Sequence, residues 1–137
     1  MSEIITDKLT GKTSAGDVTI TSEGGAVTMQ LQQGVQKVWS NLNGTGTIAA
    51  RDSFNIASYT DNGTGDYTHT FTNAMGNANY CWLMKTDFQA GTARNANIGG
   101  DSSSQTTSAI RLHSYSITAG SAGDYEVINC GISGDLA

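Results

Sequence analysis

The side chains that could support catalysis or metal binding are few and widely spaced. His69 and His113 each stand in a segment whose polar and apolar residues alternate, which is typical of a β-strand. A metal centre needs three or four converging donors, and the sequence places no such set around either histidine. Asp61 and Asp66 bracket a loop and could offer oxygens to a hard cation, but Asp is also an ordinary turn residue. We therefore predict no metal site.

The candidate nucleophiles lack partners as well. Cys81 lies between Tyr80 and Trp82, so we predict a buried and unreactive thiol there. Cys81 and Cys130 form neither a disulfide framework nor a zinc pattern, and we predict free thiols in a reducing cytoplasm. No serine stands in the Gly-x-Ser-x-Gly arrangement of many hydrolases. Without a catalytic constellation, the sequence predicts a protein that is not an enzyme.

One short motif matches a loose cofactor signature. Gly44, Gly46 and Ala49 have the spacing of a dinucleotide fingerprint, which requires a following helix to hold the pyrophosphate. The residues after Ala49 lead instead into a strand-like segment. Turn chemistry accounts for the glycines, because Asn-Gly pairs tolerate positive φ angles. We therefore predict no cofactor.

Charge and hydropathy exclude further classes of function. The chain has 137 residues, a formal net charge of −5 and a pI of about 4.6. Its seven Lys and Arg residues never cluster, which argues against nucleic-acid binding. The sequence contains no apolar run of about 18 residues, so we predict no membrane insertion. The first residues lack the basic and apolar pattern of a signal peptide, so we expect synthesis in the cytoplasm.

Composition and turn signals predict a mainly β fold. Gly, Ser, Thr and Asn make up more than two fifths of the chain, and Leu, Ile, Val and Phe less than one fifth. Asn43-Gly44-Thr45-Gly46 recurs as Asn62-Gly63-Thr64-Gly65, and Asn-Gly between alternating segments indicates a hairpin. We predict an antiparallel, jelly-roll-like β-sandwich knob over residues 43–137. Within it, Asn79–Lys85 is apolar on both faces and is expected to be a central strand.

Residues 26–42 carry a different periodicity. Apolar side chains recur there at helical spacing, so we predict a short helix that forms a neck. The stripe is narrow and its flanks are uncharged, which suits packing against copies of the same helix around a symmetry axis. The alternative is a helix that lies on its own domain. The residues of the predicted trimer seam are Val27, Leu31, Val35 and Val38.

The first 25 residues are polar and contain two short segments rich in β-branched residues. Neither segment could bury a face alone, so we predict an extended arm that docks on another chain. A frayed terminus is the alternative. The apolar residues expected to dock are Ile4, Ile5, Leu9, Val18 and Ile20.

Several segments of the sequence resemble small virion proteins of tailed phages, especially aquatic ones. They are the opening Met1–Gly16, the block from Val38 to Ala49, Arg51–Ile56 and Asp61–Thr68. The resemblance covers most of the chain and thins after Asp87. It implies a β-sandwich knob, usually trimeric, on the virion surface. It assigns no functional residue.

An arm, a short neck and a knob suit a non-enzymatic capsid decoration protein, a cement protein or head fibre, bound to the major capsid protein. The alternative is a short tail-fibre or receptor-binding knob that recognises a host surface glycan. In that case Tyr59, Tyr80, Trp82 or Tyr115 could stack on sugars, although aromatic residues more often lie in cores. The polar loop from Gln89 to Ser108 would then be the receptor candidate.

Overall fold

The computed structural model describes residues 4–12, 18–21, 24–25, 28–86, 96–100, 104–116 and 120–137, with the backbone alone for 96–100. The chain divides into two compact units, Met1–Val35 and Gln36–Ala137. Among the described residues, no helix has the length and apolar character needed to cross a membrane.

The first unit contains a small antiparallel ribbon and one turn of helix. Strand β1 (Thr19–Thr21) pairs with β2 (Thr28–Gln30), and helix α1 (Leu31–Gly34) follows directly. The backbone N–H of Leu31 donates a hydrogen bond to the carbonyl of Val18 at 2.7 Å. The helix is therefore tied to the start of the ribbon.

Of the predicted helix over residues 26–42, the described residues 28–42 contain α1 alone. Helix formation stops after Gly34, because Val35 adopts an extended conformation with φ −106° and ψ 145°. Glycine and β-branched residues are both weak helix formers. Val38 opens a strand of the second unit and is fully buried in that unit's core, so the prediction of a helical seam that includes Val38 is wrong. Val27 lies outside the described residues.

The second unit is a pair of antiparallel sheets, which confirms the predicted mainly β, sandwich-like fold. It begins at Gln36 rather than at residue 43. Its strands in chain order are β3 (Val38–Asn43), β4 (Ala49–Phe54), β5 (Ile56–Gly63), β6 (Asp66–Phe71), β7 (Cys81–Thr86), β8 (Ala96–Gly100), β9 (Ala109–Ser116), β10 (Ser121–Ala122) and β11 (Ile128–Ser133). One sheet has the order β4-β3-β11-β7. The other runs β10-β9-β6-β5, with β8 also paired to β9.

The core lies within the second unit and follows the two-residue period of its strands. Buried and half-buried residues alternate along β3, β6 and β11, as they must when one face of each sheet is packed. Packing apolar side chains from both sheets removes them from water and supplies the main stabilising free energy. The buried apolar residues are Val38, Leu42, Tyr67, Phe71, Met75, Tyr80, Ile110, Leu112, Tyr125, Ile128, Cys130 and Ile132.

Both Asn-Gly repeats form hairpin connections. The first joins the antiparallel strands β3 and β4, and the second joins β5 and β6. Gly44 is required by close packing, since a Cβ there would lie 2.6 Å from both the Ile128 Cδ1 and the Tyr67 hydroxyl. In the second hairpin the Asp61 carboxylate accepts the Gly63 N–H at 2.9 Å, and Gly63 adopts a φ of 127°. The first copy of the repeat therefore depends on close packing at Gly44, and the second on turn geometry at Gly63.

Two predictions about the second half of the chain are corrected. Asn79–Lys85 was expected to give a central strand, but β7 is an edge strand whose outward side chains are exposed. The segment Gln89–Ser108 was expected to be one long loop, but it contains β8, which pairs with β9. Strand β7 has apolar side chains on both faces, and that pattern cannot separate an edge strand with an apolar outer surface from a central strand.

Candidate functional site

The first predicted histidine is a closed, structural group. His69 lies on β6 and is fully buried, and its Nδ1 is 3.3 Å from the Ser40 Oγ on β3 of the opposite sheet. Its ring packs edge-on against Tyr59, with centroids 4.8 Å apart. Desolvation by burial lowers the pKa of His69 to about 4, so the ring is neutral at pH 7. Its contacts make it a link between the sheets, since solutes cannot reach it.

The second histidine and Asp66 belong to a hydrogen-bonded surface, whereas Asp61 accepts the Gly63 N–H within its own turn. The Asp66 carboxylate accepts the Arg111 Nε–H at 2.7 Å and also the Arg111 Nη2. Asn62 Nδ2 lies 3.3 Å from Asp66 and 2.9 Å from the Thr68 hydroxyl. The hydrogen bond from Arg111 is the largest cause that lowers the pKa of Asp66, followed by the Coulombic contribution of His113 at 3.8 Å and then the hydrogen bond from Asn62. Asp66 is thus occupied by protein donors. We call this outer surface of the β6–β9 sheet the network face.

The described residues contain no cluster of three or more His, Cys, Asp or Glu side chains close enough to hold a metal ion. The two cysteines are free thiols. Cys130 is buried, and desolvation raises its pKa to about 12. Cys81 is exposed, which contradicts the prediction that it is buried. The β7–β11 register sets Cys81 opposite Ser133 and Cys130 opposite Met84.

The four aromatic residues considered for sugar stacking differ in exposure. Tyr80 is buried, and its hydroxyl donates toward the Thr106 and Ala109 carbonyls at 3.0 and 3.1 Å. Trp82 is half-buried and donates its indole N–H to Gln105 at 3.1 Å. Tyr59 packs on His69. Tyr115 alone of the four is exposed, at 45%, and lies beside His113 on the network face.

The predicted arm residues are exposed almost without exception. Ile4 is 86% and Ile5 85% exposed, and Leu9 and Ile20 are also open to solvent. Val18 is half-buried. Of the predicted seam residues, Leu31 is half-buried on α1 and Val35 is exposed just after it. The described residues of the first unit therefore present apolar side chains and include no buried apolar residue.

Sequence reasoning missed a cleft of about 450 Å³ on the outer surface of the β4-β3-β11-β7 sheet. One row of this surface runs Phe54, Trp39, Gly131 and Leu83 across the four strands, as the strand register requires. At Gly131 the Gln36 amide takes the place of a side chain, and the cleft is lined there by Trp39 and by Leu83, which is 71% exposed. We call this feature the Trp39 cleft. Its principal lining residues are Gln36, Trp39, Asn41, Leu83, Asn129 and Gly131.

A polar row borders the apolar row two residues further along each strand. The register aligns Asp52, Asn41, Asn129 and Lys85 across the same four strands. Asn41 accepts a hydrogen bond from Arg51 at 3.3 Å through its Oδ1. The side chains of Asn129 and Lys85, and the indole N–H of Trp39, make no hydrogen bond or ion pair with any described residue. Three residues that line the cleft therefore carry polar groups with no partner among the described residues.

The cleft could have been found only from the strand register. Trp39 and Asn41 fall at the end of the segment predicted to be helical, and Gly131 and Leu83 lie 48 residues apart in the sequence. No local motif connects them. Alternation along β11, where Asn129 and Gly131 point away from the core, was the one available signal.

No protein-family model, curated protein or solved structure matches this chain. The exposed apolar arm and the Trp39 cleft are the two features of the molecule that support a functional proposal. The first is a candidate attachment surface and the second a candidate recognition surface.

Proposed function

We propose that this protein is a non-enzymatic structural protein of a tailed-phage virion, displayed on the particle surface as a capsid decoration protein. The observation that carries the proposal is the exposure of Ile4, Ile5, Leu9 and Ile20 in the first unit. Exposed apolar side chains that recur along one short segment are typical of a surface that is buried on a partner. The partner in this proposal is the major capsid protein.

The second unit supports the role of a displayed knob. Its apolar core is contained within Gln36–Ala137 and draws on both of its sheets. A unit with its own core can stand on a particle without support from the arm. The two units therefore have separate tasks in this proposal, attachment for the first and display for the second.

We further propose that the decoration protein is a homotrimer. The core of the knob is small for its length, and small cores are often completed by oligomerisation. Of the predicted seam, Val38 belongs to the knob core and Val27 lies outside the described residues, so Leu31 and Val35 form the seam in this proposal. The trimer contact in this proposal is thus formed by one turn of helix and the residue after it, rather than by a neck of several turns.

A short tail-fibre or receptor-binding knob that recognises a host surface glycan is the second candidate. The Trp39 cleft favours it, because the cleft is open and carries polar side chains that have no partner among the described residues. The number of copies per particle separates the two candidates. A decoration protein follows the capsid lattice, whereas a tail appendage is present in few copies.

The arm is tested by replacing Ile4 and Ile5 together with serine in the full-length protein. We expect binding to purified phage particles to fall by at least about tenfold, because each buried isoleucine contributes roughly 2 kcal/mol. Co-sedimentation with the particles measures the loss. The matched control replaces both residues with valine, which keeps an apolar side chain and should retain most of the binding. Unchanged binding of the serine variant would place the docking surface elsewhere.

A further inference from the structure

We propose that the Trp39 cleft is a saccharide-binding site. The inference concerns the knob alone and does not depend on where the knob is mounted. It begins with Gly131, the residue of β11 that stands between Trp39 on β3 and Leu83 on β7. Two strand spacings separate the flanking backbones, about 10 Å. The missing side chain at Gly131 leaves a slot between Trp39 and Leu83, and the side chain of Gln36 lies at its base.

The floor of the slot is itself polar. The Gln36 amide lies directly on Gly131, and a Cβ at that position would collide with the amide Nε2. The side chain of Gln36 makes no hydrogen bond to a described residue. An amide offers both two N–H donors and a carbonyl acceptor. The floor can therefore exchange hydrogen bonds with a hydroxyl group, which also donates and accepts.

The polar row completes the donor and acceptor set. Asn129 is adjacent to the floor and adds a second amide without a partner in the described part of the chain, and Lys85 adds an ammonium group at the β7 side. The indole N–H of Trp39 is a further unpaired donor within the described part of the chain. A sugar ring has an apolar face, formed by its C–H groups, and a rim of hydroxyls. That combination matches an indole face bordered by amides.

The chemistry of the cleft disfavours other occupants. A second copy or another folded protein would need about 800 Å² on each partner, and the apolar row here is only one residue wide. A strand-forming peptide would add to a sheet edge through its backbone, whereas this site lies on the sheet face. A nucleic acid would meet a protein with a net charge of −5, and Arg51 and Lys85 are the cations near the cleft among the described residues.

The test is a printed array of neutral and uronic-acid-containing oligosaccharides probed with the full-length protein. The tightest-bound oligosaccharide is then titrated by calorimetry into wild type and two variants, Trp39→Ala and Asn129→Ala. We expect at least about tenfold weaker binding for Trp39→Ala, because the stacking surface is removed, and a several-fold loss for Asn129→Ala. The second variant keeps the test valid if Trp39→Ala fails to fold, since Asn129 lies on the outer face of its strand.

Two controls make the result specific to the cleft. Asn62→Ala removes an amide from the network face and should change the affinity by less than about twofold. Trp82→Phe leaves Trp39 as the only tryptophan, so that a change in fluorescence on sugar binding reports on the cleft itself. The proposal is overturned if no oligosaccharide on the array binds, or if both cleft variants bind as tightly as wild type. Binding that is lost equally in Asn62→Ala also overturns it.

Discussion

The two outer surfaces of the knob carry similar polar residues but differ in whether those side chains are hydrogen-bonded to the protein. On the network face, the Asp66 carboxylate is hydrogen-bonded to both Asn62 and Arg111. On the face that holds the Trp39 cleft, Asn129 and Lys85 have no partner among the described residues. The polar side chains of the first surface are hydrogen-bonded to one another, and those of the second have hydrogen-bonding groups left for the proposed ligand.

This difference indicates that one outer face of the sandwich contributes to stability and that the other is available for binding. Polar groups that pair across strands β5, β6 and β9 contribute to the stability of their sheet. Unpaired amides beside an indole contribute little to stability, and their hydrogen-bonding capacity remains free for recognition. We therefore expect substitutions on the two faces to have opposite signatures, in stability on one and in binding on the other.

The largest expected effect on stability comes from His69, which contacts Ser40 of the opposite sheet. His69 has its pKa lowered to about 4 by burial, against an ordinary value near 6.5. Between these values the unfolded chain binds the proton and the folded protein does not, so stability falls as the pH falls. The loss should reach about 3 kcal/mol from pH 7 to pH 4. Urea unfolding at several pH values measures it.

His69→Gln should flatten that pH dependence, because the amide keeps a polar contact for Ser40 and does not titrate. The matched control is His113→Gln, which removes the partly exposed histidine of the network face and should leave most of the slope intact. Equal slopes in wild type and His69→Gln would contradict the assignment of His69 as a neutral buried link.

The next effect is on the network face. Asp66→Asn removes the acceptor of the Arg111 pair, and we expect it to lower the free energy of unfolding by about 1 kcal/mol, discounted for the partial exposure of Arg111. Because the pKa of Asp66 is lowered in the folded state, its contribution is present above pH 3.8 and is lost as the pH falls through the folded pKa. The variant should bind the array-selected sugar like wild type.

The smallest effect on stability is expected on the cleft face. Asn129→Ala should change the free energy of unfolding by less than about 0.5 kcal/mol, since its amide has no described partner to lose. Chemical denaturation of this variant beside Asp66→Asn measures the comparison directly. If the two variants are equally destabilised, the distinction between a self-paired face and an open face fails.

The hairpins and the strand class were predictable because their signals are local. Asn-Gly turns and two-residue alternation are read from neighbouring residues, and β5–β6 followed from them. The helix predicted over residues 26–42 was too long, because the spacing of Leu31, Val35 and Val38 matches a helical period by chance. Val38 instead pairs with Ile132, nearly a hundred residues away. Tertiary pairing of this kind overrides a short periodic signal.

The candidate site was less predictable than the fold for the same reason. Sequence reasoning sought stacking aromatics among Tyr59, Tyr80, Trp82 and Tyr115, and two of these are held by internal hydrogen bonds. The Trp39 cleft depends on three strands meeting in one register around a glycine. The arm residues were accessible to prediction, because an apolar side chain in a polar segment too short to form a core is expected to remain exposed.

The most direct test of the proposed function is the copy number of this chain per purified virion, measured by quantitative mass spectrometry against the major capsid protein. The account predicts a number comparable to that of the capsid protein, because a decoration protein occupies the capsid lattice. A handful of copies would contradict decoration and favour a tail appendage. Absence of the chain from purified particles would contradict a virion role altogether.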